Sequence, residues 1–288
     1  MIEANRDANI SRGYTVSGRG PSQVVLLHSS MSSSRQWRDL IQMLAGERQV
    51  VAIDLLGYGS APSPHAGAAF SLEHETDRIE ALLDEIFGRY HTVHLVGHSY
   101  GGAVALRIAC TRPERLDSLT LFEPTAFHLL RSDDESLMAV NEVAALAIAA
   151  SEVTLIAAQR HATQRFIDFW SEPGAFSSMS GAQQLSLMRL LPKVANDFRA
   201  LFTETTSLRQ CQEMPIRTLL ISGAKSPACS HQIINLLSNV LPWREVRCVD
   251  TGHLGPMTHP SVVNPIISAF LRSAVRTAVE AGESRYES

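Results

Sequence analysis

The segment Gly97–Gly101, which reads Gly-His-Ser-Tyr-Gly, separates an apolar run at residues 92–96 from a helical pattern at residues 102–109. This order predicts a strand, a sharp turn and a helix, with Ser99 at the apex of the turn. A Cβ at either flanking glycine would collide with the neighbouring strand or helix, so the pattern favours a tight turn with an exposed serine hydroxyl. Because a serine hydroxyl is a weak nucleophile at neutral pH, nucleophilic catalysis here requires a general base nearby.

Candidates for that base and its partners follow apolar runs elsewhere in the chain, and they are His28, Asp54, Glu123 and His253. A histidine can take the serine proton, and a carboxylate can orient the histidine. Isolated residues of these types are more often structural. We expect His98 to pack and form hydrogen bonds, His28 to brace the loop around it, and Asp54 to hold a turn through bonds to the backbone.

The apolar runs have the length and β-branched content of strands. Most are unalternated, as in parallel strands buried on both faces. They lie at residues 24–27, 50–53, 92–96, 119–122, 216–221 and 245–249. Helical patterns separate many of them, notably at residues 72–87, 102–109, 230–241 and 261–276. This alternation predicts an α/β fold with a mostly parallel central sheet flanked by helices.

The alternation stops over residues 124–202, which are rich in alanine, leucine and glutamine and break at Glu172–Gly174. We interpret this stretch as a helical cap, or lid, inserted after the strand that ends at Glu123, with residues 1–123 and 203–288 forming the core domain. An insertion at that point lies over the crevice where open α/β sheets bind ligands. Its apolar side chains are expected to line a pocket or to pack the cap itself.

Composition excludes several classes of partner. The 288 residues carry a net charge of −4 and are 45% hydrophobic, with acidic and basic residues interspersed. Without a basic stripe or a polybasic patch, neither nucleic acid nor stable membrane association is expected.

The polar N-terminus lacks the apolar core of a signal peptide, so a cytoplasmic location is expected. The expected partner is a small hydrophobic substrate, and a homodimer is compatible with the sequence. Residues 1 to about 11 and 278–288 are expected to be loosely ordered tails.

The four cysteines show no metal-ligand or redox-motif spacing, and they are Cys110, Cys211, Cys229 and Cys248. Free buried thiols are therefore expected. Histidines and carboxylates do not cluster at zinc-binding spacing. We expect no cofactor and no metal.

Taken in chain order, the His28 loop, the Asp54 turn, the Ser99 elbow and the late His253 resemble the α/β-hydrolase family over residues 13–274. The resemblance implies the α/β-hydrolase fold and independence of cofactors. It also implies that Ser99 is the nucleophile and that His253 is the general base, which later protonates the leaving group.

The resemblance further implies an oxyanion hole formed by the backbone N–H groups of Ser30 and Tyr100. The family usually has glycine directly after the loop histidine, where this chain has Ser29. The candidate substrate-pocket residues are Ser29, Met31, Phe127, Trp170 and Leu254.

The third triad member departs from the family pattern. The family's acid usually follows the strand at residues 216–221, but Ser226 occupies that place and residues 215–244 contain no Asp or Glu. Glu123 ends the preceding strand, where some haloalkane dehalogenases carry their acid, so we assign Glu123 to orient His253. The alternatives are a Glu123 that only caps the entry to the cap, a role for Asp250, or a water bound at Ser226.

Three functions follow from these residues. The first is a serine hydrolase, by default a carboxylesterase for a small or medium hydrophobic ester. The second applies the same residues to a carbon–carbon bond, a thioester, a lactone or an amide, because fold does not choose among these bonds. A dehalogenase or epoxide hydrolase is disfavoured, since those enzymes need an aspartate where Ser99 stands. The third is a small-molecule binding protein on the same scaffold, favoured by the missing acid at Ser226.

Overall fold

Seven strands form one sheet in the computed structural model, which describes residues 12–64, 69–131 and 134–283, with side chains up to residue 273. The strands are β1 (Tyr14–Ser17), β2 (Ser22–Leu27), β3 (Arg48–Ile53), β4 (Val93–His98), β5 (Leu116–Phe122), β6 (Thr218–Gly223) and β7 (Arg244–Val249). Their order across the sheet is β1-β3-β2-β4-β5-β6-β7. All six predicted strands are present. The short edge strand β1, which pairs antiparallel with β3, was not predicted.

Parallel register aligns the carboxyl ends of the central strands. Leu27 of β2 pairs with Gly97 of β4, His98 pairs with Phe122 of β5, and Phe122 pairs with Ile221 of β6. The residues that directly follow β2, β4 and β5 therefore emerge side by side at one edge of the sheet. Ligands bind at this edge in open α/β sheets.

Helices connect the strands and cover both faces of the sheet. They are α1 (Arg38–Leu44), α2 (Leu72–Phe87), α3 (Tyr100–Thr111), α4 (Glu135–Ser151), α5 (Ile156–Trp170), α6 (Ala175–Ser178), α7 (Gly181–Met188), α8 (Leu191–Phe202), α9 (Leu208–Gln212), α10 (Ala228–Val240), α11 (Gly255–Thr258) and α12 (Pro260–Glu283). One buried cluster packs α2, α3, α10 and helices from residues 124–202 on one face. A second packs α1 and α12 on the other. The sheet thus has a hydrophobic layer on each face, as its unalternated strands predict.

Between Phe122 and Thr218 the described residues form helices and no strand. We call residues 124–202 the cap segment; its α4 packs against α5 and α8. Two of its helices begin at side chains that cap free backbone N–H groups: Asp134 accepts from Ser136 N, and Ser180 forms a capping box with Gln183. The helical content follows the sequence pattern, and the division into domains at residues 124 and 202 stays a prediction.

The cysteines, the helix lengths and the chain ends can also be compared with what the sequence predicts. All four cysteines are free, but Cys248 is exposed and Cys110 is half-buried, so the expectation that all were buried was wrong. Cys248 is exposed because it lies on the edge strand β7, which has a neighbour on one side only. No described helix is long and apolar enough to cross a membrane. Residues 1–11 and 284–288, in the expected tails, lie outside the described residues, and residues 278–283 continue α12.

Candidate active site

Ser99 occupies a strained turn between β4 and α3. Its backbone has φ 54° and ψ −118°, a conformation that residues other than glycine rarely adopt. A Cβ on Gly97 would lie 2.5 Å from the carbonyl oxygen of Gly101, and one on Gly101 would lie 2.4 Å from that of His28. The expected collision at both glycines is thus confirmed. Only glycine allows the elbow to pack this tightly against β2 and α3.

His253 lies between Ser99 and Glu123. Its Nε2 is 2.9 Å from Ser99 Oγ, and its Nδ1 is 2.6 Å from Glu123 Oε2. All three side chains are buried, and Glu123 is fully so. The two imidazole nitrogens thus face a hydroxyl on one side and a carboxylate on the other. This arrangement lets the ring take a proton from Ser99 while the carboxylate stabilises the imidazolium.

Glu123 is held on its other side by the backbone of β6. Gly223 N–H donates to Oε1 at 2.6 Å, so both carboxylate oxygens are occupied. The backbone of Glu123 has φ 44°. Among the described residues other than glycine, Met31, Ser99 and Glu123 have a positive φ. Ser226 Oγ, at the family's usual acid position, is buried without a hydrogen-bond partner among the described residues. Asp250 instead pairs with Lys225 at 2.9 Å, and both side chains are exposed.

His98 supports the loop of His253 from beneath. Gln36 Nε2 donates to His98 Nδ1 at 3.0 Å, and His98 Nε2 donates to the carbonyl oxygen of His253 at 2.8 Å. Burial holds the pKa of His98 well below its ordinary value, and the neighbouring His253 lowers it further. A neutral His98 with one donor and one acceptor nitrogen fits both bonds. The structural role expected for His98 is confirmed.

The loop after β2 carries Ser30, which was expected to form the oxyanion hole with Tyr100, and the candidate pocket residue Ser29. The backbone N–H groups of Ser30 and Tyr100 donate to none of the described residues, so both are free to bind a substrate oxygen. His28 braces this loop, because its Nδ1 donates to Ser29 O at 2.7 Å and its Nε2 accepts from Leu55 N at 2.9 Å. Ser29 Oγ bonds to Gln36 Oε1 at 2.9 Å, which ties the loop to the residue that supports His98.

The turn after β3 is held as expected. Asp54 accepts hydrogen bonds from Ser34 N at 2.6 Å and from Ser60 N at 2.8 Å. Its carboxylate therefore joins the turn to the start of the first helical region and has a structural role.

A cavity with two arms opens at Ser99. The inner arm, of about 20 Å³, is lined by Ser30, Ser99, Thr125, Phe127, Phe166, Trp170, Val194, Asp197, Phe198 and Leu201. The outer arm, of about 180 Å³, is lined by Ser29, Ser30, Met31, Ser32, Ser99, Phe166, Ile167, Trp170, Ser171, Met179, Leu187, His253, Leu254 and Met257. Every candidate pocket residue lies in one arm or in both. A larger open depression, of about 540 Å³, lies around Arg48 and Arg272 and contains none of the candidate site residues.

The cap segment supplies the apolar walls of this cavity. Trp170 lies against the imidazole of His253, with the two ring centroids 4.3 Å apart and the ring planes inclined by 34°. Phe166 and Trp170 border both arms. None of the described residues lining either arm is a lysine or an arginine, and Asp197 is the acidic one among them. The cavity is therefore suited to neutral, largely apolar groups.

Comparison with known proteins supports the fold seen here. A family model of the alpha/beta hydrolase fold matches residues 23–260. The chain belongs to the α/β-hydrolase family. A candidate 2-succinyl-6-hydroxy-2,4-cyclohexadiene-1-carboxylate synthase of Bacillus subtilis (strain 168) is 26% identical over 278 residues, which cover 90% of this chain and 95% of the relative.

Two esterases are also similar to this α/β-hydrolase. A pimeloyl-(acyl-carrier protein) methyl ester esterase of Aeromonas salmonicida (strain A449) is 36% identical over 102 residues, covering 35% of this chain and 37% of the relative. The solved structure of a thermophilic esterase from Thermogutta terrifontis superimposes with a TM-score of 0.71 at 19% identity and covers 91% of this chain and 93% of the esterase. With these relatives, the chain is an enzyme of the hydrolase class.

Sequence reasoning missed several polar residues of this hydrolase's site. Gln36 lies early in a helical region, and no feature of its type or spacing marks it as a link between His98 and the Ser29 loop. Asp197 and Lys193 are spaced four apart in a helix, which is typical of a solvated ion pair. Here both are buried beside the inner arm. A charged pair on the buried face of an otherwise apolar helix is the signal that could have found them.

Proposed function

We propose that this α/β-hydrolase cleaves neutral carboxylic esters, with Ser99 as the nucleophile, His253 as the general base and Glu123 as the carboxylate that orients His253. The observation that carries the proposal is the unbroken series of short contacts from Ser99 Oγ through His253 to Glu123, at 2.9 and 2.6 Å. Such a series activates a serine that is otherwise a weak nucleophile.

In the proposed reaction His253 Nε2 takes the proton of Ser99 as its oxygen attacks the ester carbonyl carbon. The negative charge that develops on the carbonyl oxygen is stabilised by the N–H groups of Ser30 and Tyr100, since neither donates to another of the described residues. His253 then protonates the departing alcohol. Water, deprotonated by the same nitrogen, attacks the acyl-enzyme, and the acid leaves as Ser99 regains its proton.

The sizes of the two arms suggest which arm binds the acyl part of the ester and which binds the alcohol part. A volume of about 20 Å³ is close to that of one water molecule or methyl group. We therefore assign a short acyl chain to the inner arm and a larger apolar alcohol to the outer arm, of about 180 Å³. Thr125 Oγ1, a buried hydroxyl without a partner among the described residues, lines the inner arm and can bond to a polar atom of the acyl group.

A second candidate is a reaction other than ester hydrolysis at the same serine, such as cleavage of a carbon–carbon bond, a thioester, a lactone or an amide. The observation that favours it is the synthase-named relative from Bacillus subtilis, which matches 90% of this chain. The name of that relative refers to a compound that carries a carboxylate group. The cavity described here has no lysine or arginine in its walls to bind one, so the neutral ester stays the first candidate.

The test is to label the purified protein with an alkyl fluorophosphonate and to measure hydrolysis of p-nitrophenyl acetate, butyrate and octanoate. We expect one adduct per chain at Ser99, lost in Ser99→Ala and in His253→Ala, and turnover highest for the shortest esters. Ser33→Ala is the matched control, because the Ser33 hydroxyl bonds to none of the described residues. Labelling without ester turnover would favour the second candidate. A folded protein that is not labelled would favour the binding-protein function instead.

We also propose a cytoplasmic location and a small hydrophobic substrate as the main partner. The apolar lining of the outer arm supports the hydrophobic substrate. A homodimer is tested by the mass of the protein in solution.

A further inference from the structure

Two charged residues of the cap segment are buried where α8 meets the core. Lys193 and Asp197 lie one turn apart on α8, and their side chains are 7% and 2% exposed. They form an ion pair with each other, and Lys193 Nζ also lies 3.3 Å from Glu75 Oε1 of α2. Buried charges are costly unless they are paired, so this contact between cap and core needs a physical explanation.

Lys193 attaches α8 to the core. Its ammonium lies over the rings of Tyr58, Phe70 and Tyr100, at 4.9, 4.4 and 4.7 Å from their centroids. Cations bind aromatic faces, and the interaction strengthens when water is excluded. Tyr100 OH also donates to Glu75 at 3.1 Å, so the residue after the nucleophile belongs to the same cluster.

Asp197 connects this cluster to the oxyanion loop. Ser30 Oγ donates to Asp197 Oδ2 at 2.6 Å, and Tyr58 OH donates to the same oxygen at 2.5 Å. Ser30 and Asp197 are 167 residues apart in the chain. Ser30 is also the residue whose backbone N–H is free beside Ser99.

We propose that Asp197 is a positioning residue that holds the oxyanion loop through the Ser30 hydroxyl, so that the cap segment sets the geometry of the oxyanion hole. The Ser30 side chain is bonded to the cap segment and its backbone N–H donates to none of the described residues, so we expect a shift of α8 to displace that N–H. Since the donors must match the position of the developing oxyanion closely, a small displacement of Ser30 costs rate.

The ion pair explains how a carboxylate is tolerated at this place. A lone Asp197 charge beside the oxyanion hole would repel the negative charge that forms during attack. The Lys193 ammonium on its other oxygen offsets that charge, and the hydroxyls of Ser30 and Tyr58 occupy the oxygen nearer the loop. Asp197 thus fixes the loop while the ammonium of Lys193, which also lies beside Glu75, offsets part of its charge.

This inference rests on the proposed ester hydrolysis, and its test separates the two. The variants are Ser30→Ala, which keeps the backbone N–H and removes the hydroxyl, Asp197→Asn, and the double variant. Ser33→Ala is the control on the same loop. Each is assayed for kcat and KM with p-nitrophenyl acetate, and for inhibition by an alkyl trifluoromethyl ketone, whose serine adduct carries an oxyanion.

We expect Ser30→Ala to lower kcat by about 10- to 100-fold with little change in KM, because the lost contact matters in the transition state. Affinity for the trifluoromethyl ketone should fall in parallel. The double variant should be no slower than the slower single variant, since both remove the same link. A merely structural role would lower the melting temperature without this split between kcat and KM.

Wild-type turnover together with unchanged kcat in Ser30→Ala and Asp197→Asn would overturn the positioning role and leave the proposed function standing. Multiplied losses in the double variant would overturn it as well. No turnover and no labelling of the wild type would refute the proposed function, and the positioning role with it. If Asp197→Asn does not fold, the kcat and the ketone affinity of Ser30→Ala decide alone.

Discussion

Glu123 Oε2 lies 2.6 Å from His253 Nδ1, although 130 residues separate them in the chain. The carboxylate comes from the end of β5, while the position where the family usually carries its acid, after β6, holds Ser226, whose hydroxyl oxygen is buried. The backbone of β6 still takes part, because Gly223 N–H donates to the other oxygen of Glu123. The site therefore has its carboxylate at the end of β5, next to β4, the strand that leads to Ser99.

Replacing this carboxylate tests its role. Glu123→Gln is expected to lower kcat by about 10³- to 10⁴-fold, because the amide cannot stabilise the imidazolium. The fold should persist, since the side chain keeps its size and can still accept from Gly223. Steady-state kinetics and thermal unfolding measure the two effects. Asp250→Asn is the control and should retain activity, because Asp250 pairs with Lys225 at the surface. Loss of activity in Asp250→Asn alone would assign the acid to that residue.

Trp170 is expected to control the length of the acyl chain. It borders both arms of the cavity and covers His253 at 4.3 Å, so Trp170→Ala should join the arms and admit water to the imidazole. The ratio of octanoate to acetate turnover is expected to rise by about tenfold, which corresponds to the burial of about two more CH₂ groups at about 0.8 kcal/mol each. Trp170→Phe should change the ratio less. An unchanged preference in Trp170→Ala would place the acyl chain elsewhere.

Substitution of alanine for two glycines, Gly101 and Gly181, is expected to have opposite effects on stability. In Gly101→Ala the new Cβ would meet the carbonyl oxygens of His28 and Leu27 at 2.4 and 2.6 Å, which are backbone atoms that cannot move aside. The loss is expected to be about 3 kcal/mol or more. In Gly181→Ala the Cβ meets nothing within 4 Å, and the change should stabilise by about 0.5 to 1 kcal/mol. Urea unfolding of both variants checks the pair, and a stable Gly101→Ala would contradict the packing of the elbow.

Because several histidines are buried, the free energy of unfolding is expected to fall in mild acid. Burial lowers the pKa of both His28 and His94 to about 4 from an ordinary value of 6.5, and that of His98 well below it. The unfolded chain therefore binds protons that the folded chain does not, and stability is lost as the pH falls from about 6.5 toward 4. His94→Gln should remove one such proton and flatten the curve of unfolding free energy against pH by about 1.4 kcal/mol per pH unit.

His94 suits this test because it lies within β4, where its Nδ1 is 2.8 Å from Ser118 Oγ, and not in the catalytic site. Urea titrations at a series of pH values measure the slope. His91→Gln is the control, because that side chain is exposed in the folded protein. An unchanged slope in His94→Gln would mean that His94 is not the group that resists protonation.

Local patterns predicted most of the framework. Five of the six predicted strands were found because buried parallel strands read as continuous apolar runs, whereas β7 is mostly exposed. Helix α2 matches its predicted bounds, Leu72–Phe87. The edge strand β1 was missed, because it is four residues long and three of its side chains are partly exposed, so it carries no such signal. The elbow at Ser99 was found because two glycines flank one serine where a strand gives way to a helix.

The sequence by itself determined the fold class, and it predicted Ser99 as the nucleophile and His253 as the base, because each depends on residue types within a few positions of one another. It also left a few candidates for the carboxylate that orients His253, of which Glu123 was preferred. Only the tertiary structure decided which carboxylate touches His253, since that depends on the register that sets β4, β5 and β6 side by side. The same holds for the link from Asp197 to Ser30. Contacts over 130 or 167 residues arise from packing of the whole sheet and cap, and no local pattern encodes them.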